Sequence, residues 1–546
     1  MSRRYWGPAR LGPVAIHPSV AERLARLAPD QRSAATAPPG PILCVAPAGS
    51  GKTTTLVARL AWLVDGGVPP SSIAAITFNR RAADELDERL SAALAPLGIG
   101  AGEVRVRTFH ALGLEIIRST GLTFDLVDRA AVLAELAPAL TPDAGARLDT
   151  AFSRLKLDLR VDVEAVAADL APGPVARAWV AYERALAARG QLDFDDLVRR
   201  ALDELERSPA LLARWRAACA DLLVDEAQDL DRSQLDLALL LAAPANRIFL
   251  VGDDDQSIYG WRLADVRRVL ALAESLPGLR RVDLVTNYRC PAPVVERAVR
   301  LIECNNERFA KRIVAAPRAV GRLILAPDAR DEIVRLQRVL GTLPGEGGTT
   351  RAILARTNSE LRPAVVAALS LNLPFHAPGV ELLVESPLVD ELLDEAGRTH
   401  QSRPLLIRLG ELRRRHADSE HAQALLGWAA GSADLPSLVD AVADVRGRLA
   451  ALRRDDAPLT LATAHGTKGL EWDHVAVIGL DVGRFPSRRS VESAAEPARA
   501  LEEERRLAYV AWTRARRSLT LVYDPAAPSR FLLEAFSPEE LGVDAS

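Results

Sequence analysis

The sequence is poor in the features that build disulfide scaffolds, zinc sites and membrane spans. Its 546 residues include four cysteines, which lie far apart and form no Cys-x-x-Cys pair. This spacing argues against a zinc site or a disulfide framework and fits a reducing compartment. No apolar run approaches the roughly 18 residues of a membrane span, and Met1 to Val20 lacks the apolar core of a secretory signal. We therefore expect a cytoplasmic protein that does not bind a membrane.

The chain also lacks an excess of positive charge. It has 69 Lys and Arg against 72 Asp and Glu, which gives a formal net charge of −3. A nucleic-acid site, if there is one, must therefore be a local patch or channel rather than a property of the whole molecule. Hydrophobic residues make up 49% of the chain, which excludes wholesale disorder, and the length predicts three or four domains or subdomains at about 150 residues each.

A glycine-rich loop organises the first half of the chain. The sequence Ala-Pro-Ala-Gly-Ser-Gly-Lys-Thr at 46–53 follows the apolar run 42–45 and precedes a helical pattern. It matches the phosphate-loop pattern G-x-x-x-x-G-K-[ST] if Ala46 takes the place of the first glycine. Lys52 would contact the β- and γ-phosphates, and the Thr53 hydroxyl would bind Mg²⁺. The alternative is an ordinary turn between a strand and a helix. The predicted nucleotide-binding residues of this loop are Ala48, Gly49, Ser50, Gly51, Lys52, Thr53 and Thr54.

Two further apolar runs end in polar residues suited to nucleotide hydrolysis. Asp225 and Glu226 follow 222–224, so the first would help to hold Mg²⁺ and the second would activate the attacking water. A strand followed by an acidic helix start is the alternative. Gln256 follows the run 248–252 and is placed to sense the γ-phosphate. The three acids at 253–255 would be costly to bury without partners, so we expect them to be exposed or near the metal.

Aromatic and basic residues also follow the predicted strands. Such residues can stack on bases and pair with phosphates, although each aromatic could instead belong to the core. The candidates for contact with nucleic acid are Phe78, Arg80, Thr108, Phe109, His110, Tyr259, Trp261 and Arg262. The alternation of strands and helices around them predicts a parallel α/β sheet with its site at the carboxyl edge. Residues 111–204 have helical periodicity, and a second alternating region begins near Val282.

With these blocks in this order, from about Gln31 to Tyr523, the chain resembles the UvrD/Rep/PcrA-type helicases of superfamily 1. The resemblance implies an α/β fold of two RecA-like P-loop NTPase motor domains with parallel sheets, each carrying a helical insertion, with ATP bound between the motors. The implied boundaries are 1–111 and 205–286 for the first motor, 112–204 for its insertion, 287–383 and 456–546 for the second motor, and 384–455 for a short second insertion.

The resemblance also implies roles for individual residues. Gln31 would read adenine, Tyr288 would stack on it, and Glu471 would contact the ribose. Arg289 and Arg514 would be arginine fingers from the second motor. The implied catalytic residues are Lys52, Glu226, Gln256, Arg289 and Arg514, and the metal ligands are Thr53 and Asp225. The implied DNA path includes Phe78, Thr108, His110, Tyr259, Trp261, Arg262 and His465.

The implied activity is ATP- and Mg²⁺-dependent 3′→5′ movement on single-stranded DNA and unwinding of tailed duplexes. Repair or replication maintenance would be the setting, with a protein partner from that process. Thr54 stands where many members have Arg, and Trp472 replaces a frequent Phe. About twenty residues follow the last motor strand, so we expect no nuclease domain, zinc module or long partner-binding tail there. The short 384–455 insertion leaves open a translocase that unwinds poorly without a partner. A non-catalytic DNA-binding subunit is a third alternative.

Overall fold

The computed structural model describes residues 16–168, 173–345, 347–398 and 403–542. They form two compact units. Unit 1 contains the described residues up to Tyr288 together with Asn305–Val314, and unit 2 contains Arg289–Cys304 and the described residues from Ala315 onward.

A six-stranded, all-parallel sheet is the centre of unit 1. Its strand order is β3-β2-β6-β7-β1-β8, and Ile42 of β1 pairs with Phe249 of β7 on one side and Arg280 of β8 on the other. β1, β2, β6 and β7 are buried on both faces, as expected for parallel strands covered by helices. The strands are β1 Ile42–Val45, β2 Ile73–Thr77, β3 Arg105–Thr108, β6 Asp221–Val224, β7 Ile248–Gly252 and β8 Arg280–Asp283.

Helices cover this sheet and also build the predicted helical insertion. Polar caps set several of the helix starts: Asn79 and Thr108 accept hydrogen bonds from N–H groups of the first turns of α4 and α5. The helices are α1 Pro18–Ala25, α2 Pro29–Ala35, α3 Lys52–Asp65, α4 Arg80–Leu94, α5 Phe109–Arg118, α6 Arg129–Leu136, α7 Pro142–Ser153, α8 Val163–Ala167, α9 Pro174–Arg189, α10 Asp196–Arg207, α11 Pro209–Ala218, α12 Arg232–Ala242, α13 Val266–Leu270 and α14 Leu272–Ser275.

The insertion has a small core of its own. Trp179, Tyr182 and Phe152 are almost fully buried and belong to a separate apolar cluster. Beside it, the fully buried Lys156 pairs with Asp193 and Asp196. The minor strands β4 Asp125–Leu126 and β5 Gln191–Leu192 pair in parallel. The helical character predicted for 111–204 is therefore present.

Unit 2 is built around a five-stranded parallel sheet of order β11-β15-β14-β12-β13. The strands are β11 Arg322–Pro327, β12 Arg351–Ala355, β13 Leu459–Thr463, β14 Trp472–Val477 and β15 Ala515–Tyr523. Its helices are α15 Ala292–Ile302, α16 Glu332–Thr342, α17 Asn358–Ser370, α18 Pro387–Arg398, α19 Leu405–Arg415, α20 Glu420–Trp428, α21 Leu435–Leu452, α22 Arg488–Glu492, α23 Pro497–Trp512, α24 Arg530–Ala535 and α25 Pro538–Leu541. The α/β fold with parallel sheets is thus confirmed in both units.

Two stretches of the range 287–383, which the resemblance implies for the second motor, group with unit 1. They are residues 287–288 and the segment 305–314. Short strands flank these residues, β9 Thr286–Asn287 and β10 Val314–Ala315. The Val314 N–H donates to the Val285 carbonyl at 3.0 Å, which joins the end of the segment to unit 1.

Among the described residues, no helix is both long and apolar enough to cross a membrane.

Candidate nucleotide and nucleic-acid sites

The phosphate loop lies where β1 ends and α3 begins. Gly49 and Gly51 have φ values of 67° and 85°, a left-handed conformation that side chains with a Cβ rarely adopt. A Cβ at Gly51 would lie 2.6 Å from Gln31 Nε2, so the Gln31 side chain would have to give up its present position. The loop therefore needs glycine for its backbone conformation and for its contact with Gln31.

The Gln31 amide contacts the loop rather than an open surface. Its Nε2 donates to the Ser50 carbonyl at 2.8 Å, and its Oε1 accepts from the Ala28 N–H at 3.0 Å. The side chain is 7% exposed. In this conformation both ends of the amide bind protein atoms, so the predicted adenine contact would require the amide to exchange partners.

Tyr288 lies next to the same loop. Its N–H donates to the Gly49 carbonyl at 2.8 Å, while half of its surface is exposed. An exposed ring whose backbone is held at a nucleotide loop suits the predicted stacking on adenine.

Lysine and carboxylate groups face each other beside the loop. Lys52 Nζ lies 4.0 Å from Glu226 Oε2 and 3.4 Å from the Ala46 carbonyl. Glu226 has a φ of 52°, an uncommon conformation that is often found at functional sites. The Asp225 carboxylate accepts the Glu226 N–H at 2.9 Å. The structure thus brings the predicted catalytic acid and the phosphate-loop lysine together.

Gln228, which the sequence analysis missed, links this pair to the end of β7. Its Nε2 donates to Glu226 Oε2 at 2.6 Å, and its Oε1 accepts the Asp253 N–H at 2.9 Å. A Cβ on Gly252 would clash with Gln228 Oε1, which explains the glycine at the end of this strand. In the sequence, only the position of Gln228 two residues after Glu226 could have indicated that it belongs to this site.

The three acids at 253–255 are buried, which corrects our expectation that they would be exposed or beside the metal. Their exposed fractions are 0%, 2% and 0%. Lys311 Nζ lies within 2.9 Å of a carboxylate oxygen of each, so the partners that burial requires come from a distant stretch of sequence. Gln256 is also buried, and its Nε2 donates to Asp253 Oδ2 at 2.6 Å.

The residues of the loop fit a magnesium–nucleotide complex. Ser50 Oγ is buried and has no hydrogen-bond partner among the described residues, so the loop holds a polar atom that a phosphate oxygen could satisfy. Thr53 and Asp225 offer a hydroxyl and a carboxylate, which are the oxygen ligands that Mg²⁺ prefers. Thr53 is half-buried and Thr54 is exposed. No group of three or more His, Cys, Asp or Glu side chains suited to a metal occurs in the described ranges.

Aromatic rings that reach the surface follow β2 and β7. Phe78 and Tyr259 are stacked with ring centroids 5.1 Å apart and an interplanar angle of 8°, and Trp261 meets Tyr259 edge-on at 6.1 Å. The guanidinium of Arg262 lies 4.7 Å from the centroid of Trp261. Trp261 is 57% exposed. We call Phe78, Tyr259, Trp261 and Arg262 the aromatic surface; it combines ring faces with a cation, as single-strand binding requires.

The candidates around β3 separate into different environments. Phe109 is 3% exposed and packs in the main core of unit 1, so its predicted contact with nucleic acid is not supported. Thr108 caps α5 by accepting from the Ala111 N–H at 3.2 Å. Arg80 is exposed, and its Nε lies 4.0 Å from Asp84 Oδ2.

His110 forms a second aromatic pair that the sequence analysis did not foresee. Its ring stacks on Phe194 with centroids 4.0 Å apart, and Phe194 is 57% exposed. Burial lowers the pKa of His110 to about 4, although the nearby Asp195 carboxylate opposes this shift. Phe194 belongs to the sequence Asp-Phe-Asp-Asp at 193–196. Its position between acidic residues was the only sequence feature that could have indicated an exposed aromatic ring.

Two of the predicted site residues of unit 2, Arg289 and Glu471, bind each other. Arg289 Nε donates to Glu471 Oε2 at 2.6 Å, and its guanidinium also donates to the Thr513 carbonyl at 3.3 Å. Arg514 is 1% exposed, and it donates to the carbonyls of Val510 at 2.8 Å and Leu470 at 3.2 Å. Both arginines and Glu471 therefore lie in one group near the start of β14 and the end of α23.

His465 also lies in unit 2, just after β13. It is half-buried in a short turn, and burial together with the positive charge of Arg356 lowers its pKa to about 4. A neutral imidazole there could stack on or hydrogen-bond to a nucleotide.

Comparison with known proteins identifies relatives over almost the whole chain. The UvrD/REP helicase N-terminal domain matches residues 27–277, and the UvrD-like helicase C-terminal domain matches residues 446–525. The chain is 28% identical to DNA helicase II of Escherichia coli over 637 aligned positions, covering 93% of this chain and 87% of that protein. It is also 28% identical to the ATP-dependent DNA helicase Rep of Escherichia coli, covering 93% and 94%.

A third relative is the ATP-dependent DNA helicase PcrA of Staphylococcus epidermidis, with 27% identity over 650 positions, 94% of this chain and 86% of that protein. These alignments are longer than the 546-residue chain, so the relatives contain residues without a counterpart here. The matched domains, the order of the motifs and the parallel sheets of both units together show that the chain belongs to the UvrD/Rep family of DNA helicases.

Proposed function

We propose that the protein is an ATP-dependent helicase that moves 3′→5′ along single-stranded DNA, unwinds tailed duplexes and acts in DNA repair or replication maintenance. One observation carries the proposal: the segment after β7 contains both Gln256, which is bonded to the nucleotide-site network, and Tyr259 and Trp261 of the aromatic surface. The candidate residues for nucleotide chemistry and for strand binding thus share one short stretch of backbone.

The residues of unit 1 divide the work of hydrolysis. The loop backbone and Lys52 bind the phosphates, and Glu226 accepts a proton from the attacking water. Gln228 orients the Glu226 carboxylate through its 2.6 Å hydrogen bond. Thr53 and Asp225 would hold Mg²⁺, which when bound would neutralise part of the phosphate charge. Gln256 senses the γ-phosphate, and Gln31 and Tyr288 contact the adenine.

Arg289 and Arg514 are proposed as arginine fingers and Glu471 as the ribose contact. Arginine fingers stabilise the charge that develops on the transferred phosphoryl group and contribute roughly 10³ to 10⁵ in rate. The present hydrogen bonds of Arg289 and Arg514 would have to change for them to take this role, since both now bind acceptors within unit 2.

The aromatic surface, together with Arg80, Thr108, His110 and His465, is proposed to bind the DNA strand. Stacking is worth about 1–3 kcal/mol per base and does not depend on which base is stacked. We therefore expect movement along DNA with little dependence on sequence. A protein of DNA repair or replication is the proposed partner class.

Unwinding of tailed duplexes tests the proposal. Two duplexes, one with a 3′ and one with a 5′ single-stranded tail, are mixed with the protein, ATP and Mg²⁺, and strand separation and ATP hydrolysis are followed in the same reactions. We expect unwinding of the 3′-tailed duplex alone. Unwinding of the 5′-tailed duplex alone would contradict the polarity, and an absence of DNA-stimulated hydrolysis would contradict the motor function.

A translocase that unwinds little without a partner is the second candidate. It is favoured by the residues that the relatives have and this chain lacks, and by the short stretch predicted as the second insertion. In the same experiment, this candidate predicts DNA-stimulated hydrolysis without strand separation. Displacement of a protein bound to single-stranded DNA would then be the activity to measure.

A further inference from the structure

The segment Asn305–Val314, which we call the return segment, packs with unit 1 although residues on both sides of it in sequence belong to unit 2. The chain leaves unit 1 after Tyr288, forms α15, and then comes back for ten residues. Such a path needs contacts that hold the returning residues in place, because fixing each residue costs backbone entropy.

These contacts are concentrated on the three buried acids after β7. Lys311 Nζ lies 2.9 Å from Asp253, 2.5 Å from Asp254 and 2.9 Å from Asp255. Arg308 binds Asp255 through two hydrogen bonds of 2.8 and 2.9 Å, and the backbone N–H of residue 309 donates to Asp254 at 2.8 Å. The Lys311 ammonium and all three carboxylates are fully buried.

Asp253 connects this cluster to the predicted catalytic residues. One of its carboxylate oxygens faces Lys311, and the other accepts the Gln256 amide at 2.6 Å. Its N–H donates to Gln228, which in turn donates to Glu226. Lys311 is therefore two contacts away from the predicted γ-phosphate sensor.

Electrostatics explains why Lys311 matters for this arrangement. Three adjacent buried carboxylates repel one another and lose hydration, and breaking a buried ion pair leaves an uncompensated charge. Burial acts to raise the pKa of Asp253, but the positive charges of Lys311 and Lys52 and the hydrogen bond from Gln256 together hold the pKa below its usual range. Asp253 thus stays ionised and is a strong acceptor for the Gln256 amide.

We propose that Lys311 is a positioning residue for nucleotide hydrolysis, which fixes Gln256 through the Asp253 carboxylate. This inference rests on the proposed function, since it assigns Lys311 to the same ATP site. It adds a contribution from the return segment, a stretch that carries none of the predicted catalytic residues.

The test compares ATP hydrolysis, stimulated by single-stranded DNA, in four variants of the full chain. Lys311→Met combined with Asp254→Asn removes one charge of each sign, and the amide oxygen introduced at position 254 can still accept the N–H of residue 309. Arg308→Gln is the matched control, because Arg308 lies in the return segment and binds Asp255, which keeps Lys311 as a partner. Gln256→Ala, alone and combined with the Lys311→Met/Asp254→Asn pair, completes the set.

We expect the Lys311→Met/Asp254→Asn variant to lower kcat by about 10-fold or more, with KM for ATP within about threefold of the unaltered chain. For Arg308→Gln, both kcat and KM for ATP should stay within about threefold of the unaltered chain. In the Gln256→Ala background, the Lys311→Met/Asp254→Asn pair should lower kcat by less than about twofold further, because residues that act through one another are not additive.

Three results would overturn the inference: an unchanged kcat in the Lys311→Met/Asp254→Asn variant, an equal loss in Arg308→Gln, or a full multiplicative loss in the Gln256→Ala background. If the Lys311→Met/Asp254→Asn variant does not fold, Asp253→Asn in the otherwise unaltered chain replaces it, with the same expected loss of kcat. An unaltered chain without DNA-stimulated hydrolysis would instead refute the proposed function itself, and this inference with it.

Discussion

Glu226, the proposed general base, is held in place by its neighbours. Its backbone is in the left-handed region, its N–H binds the Asp225 carboxylate, and its own carboxylate binds Gln228. We expect Glu226→Gln to lower DNA-stimulated kcat by roughly 10²- to 10⁴-fold, the usual contribution of a positioned base. Steady-state ATP hydrolysis measures this effect, with the exposed Glu274→Gln as control. Undiminished hydrolysis would show that another group activates the water.

Trp261 presents more than half of its surface to solvent and lies beside Arg262. We expect Trp261→Ala to weaken binding of an oligothymidine strand by about 1–3 kcal/mol, the value of one base stacked on one ring. Fluorescence anisotropy measures the affinity, and binding of ATP without DNA should not change. Trp428→Ala, at a partly exposed tryptophan of unit 2, is the matched control. Equal losses of ATP and DNA binding would contradict a role in strand contact.

His110 makes stability depend on pH because burial lowers its pKa to about 4, against about 6.5 in an unfolded chain. A base with a lowered folded pKa contributes stability that is fully present above 6.5 and is lost as the pH falls towards 4. Lowering the pH from 7 to 5 should reduce the free energy of unfolding in both proteins. We expect this reduction to be about 1–2 kcal/mol smaller in His110→Gln than in the unaltered chain. Urea unfolding at both pH values measures this difference, with His421→Gln as control; equal pH dependence would contradict it.

At the scale of an element, the start of α5 shows how one short motif can serve two purposes. Phe109 faces the core of unit 1, whereas His110 stacks on the exposed Phe194. We expect Phe109→Ala to destabilise unit 1 by about 3–5 kcal/mol, as for other buried aromatics. Phe194→Ala should leave the melting temperature nearly unchanged but weaken binding of single-stranded DNA. Thermal unfolding and fluorescence anisotropy of both variants measure this contrast. If Phe194→Ala lost stability and Phe109→Ala lost DNA binding, Phe194 would be the core residue and Phe109 the DNA contact.

The parallel sheet of unit 1 explains why the site residues meet. Strands β1, β6 and β7 end in the phosphate loop, the Asp225–Glu226 pair and the Asp253–Gln256 turn, and neighbouring parallel strands carry these ends to one edge. The helices that follow then direct the chain away from that edge. This is why motifs almost 200 residues apart in sequence can be predicted to share a site from their strand context alone.

At the scale of the whole molecule, a net charge of −3 requires DNA binding to depend on local contacts. Arg80 is almost fully exposed near the end of β2. We expect the logarithm of DNA affinity to fall linearly with the logarithm of salt concentration, and Arg80→Ala to reduce this slope by about 0.7, the value of one phosphate contact on a single strand. Titrations at several salt concentrations measure both slopes, with Arg207→Ala as control. An unchanged slope in Arg80→Ala would show that Arg80 does not contact a DNA phosphate.

The fold class could be predicted, and candidate residues for a nucleotide site could be proposed, because their signals are local. The function of a glycine loop between a strand and a helix, or of a carboxylate pair at a strand end, can be predicted from the residues next to it in sequence. Lys52 and Glu226, which the structure places 4.0 Å apart, belong to two such motifs. The burial of Phe109 could not be predicted in the same way, since an aromatic at a helix start suits a core and a binding surface equally well.

The sequence by itself determined the α/β class, the phosphate loop and the acids that follow the strands, because these depend on periodicity and on contacts within a few residues. Only the tertiary structure decided how the three acids at 253–255 are neutralised and that residues 305–314 return to unit 1. It also decided that the Gln31 amide binds the phosphate loop. These features depend on partners far apart in the chain, and the free energy that selects such partners comes from burial and charge pairing that exist only after folding.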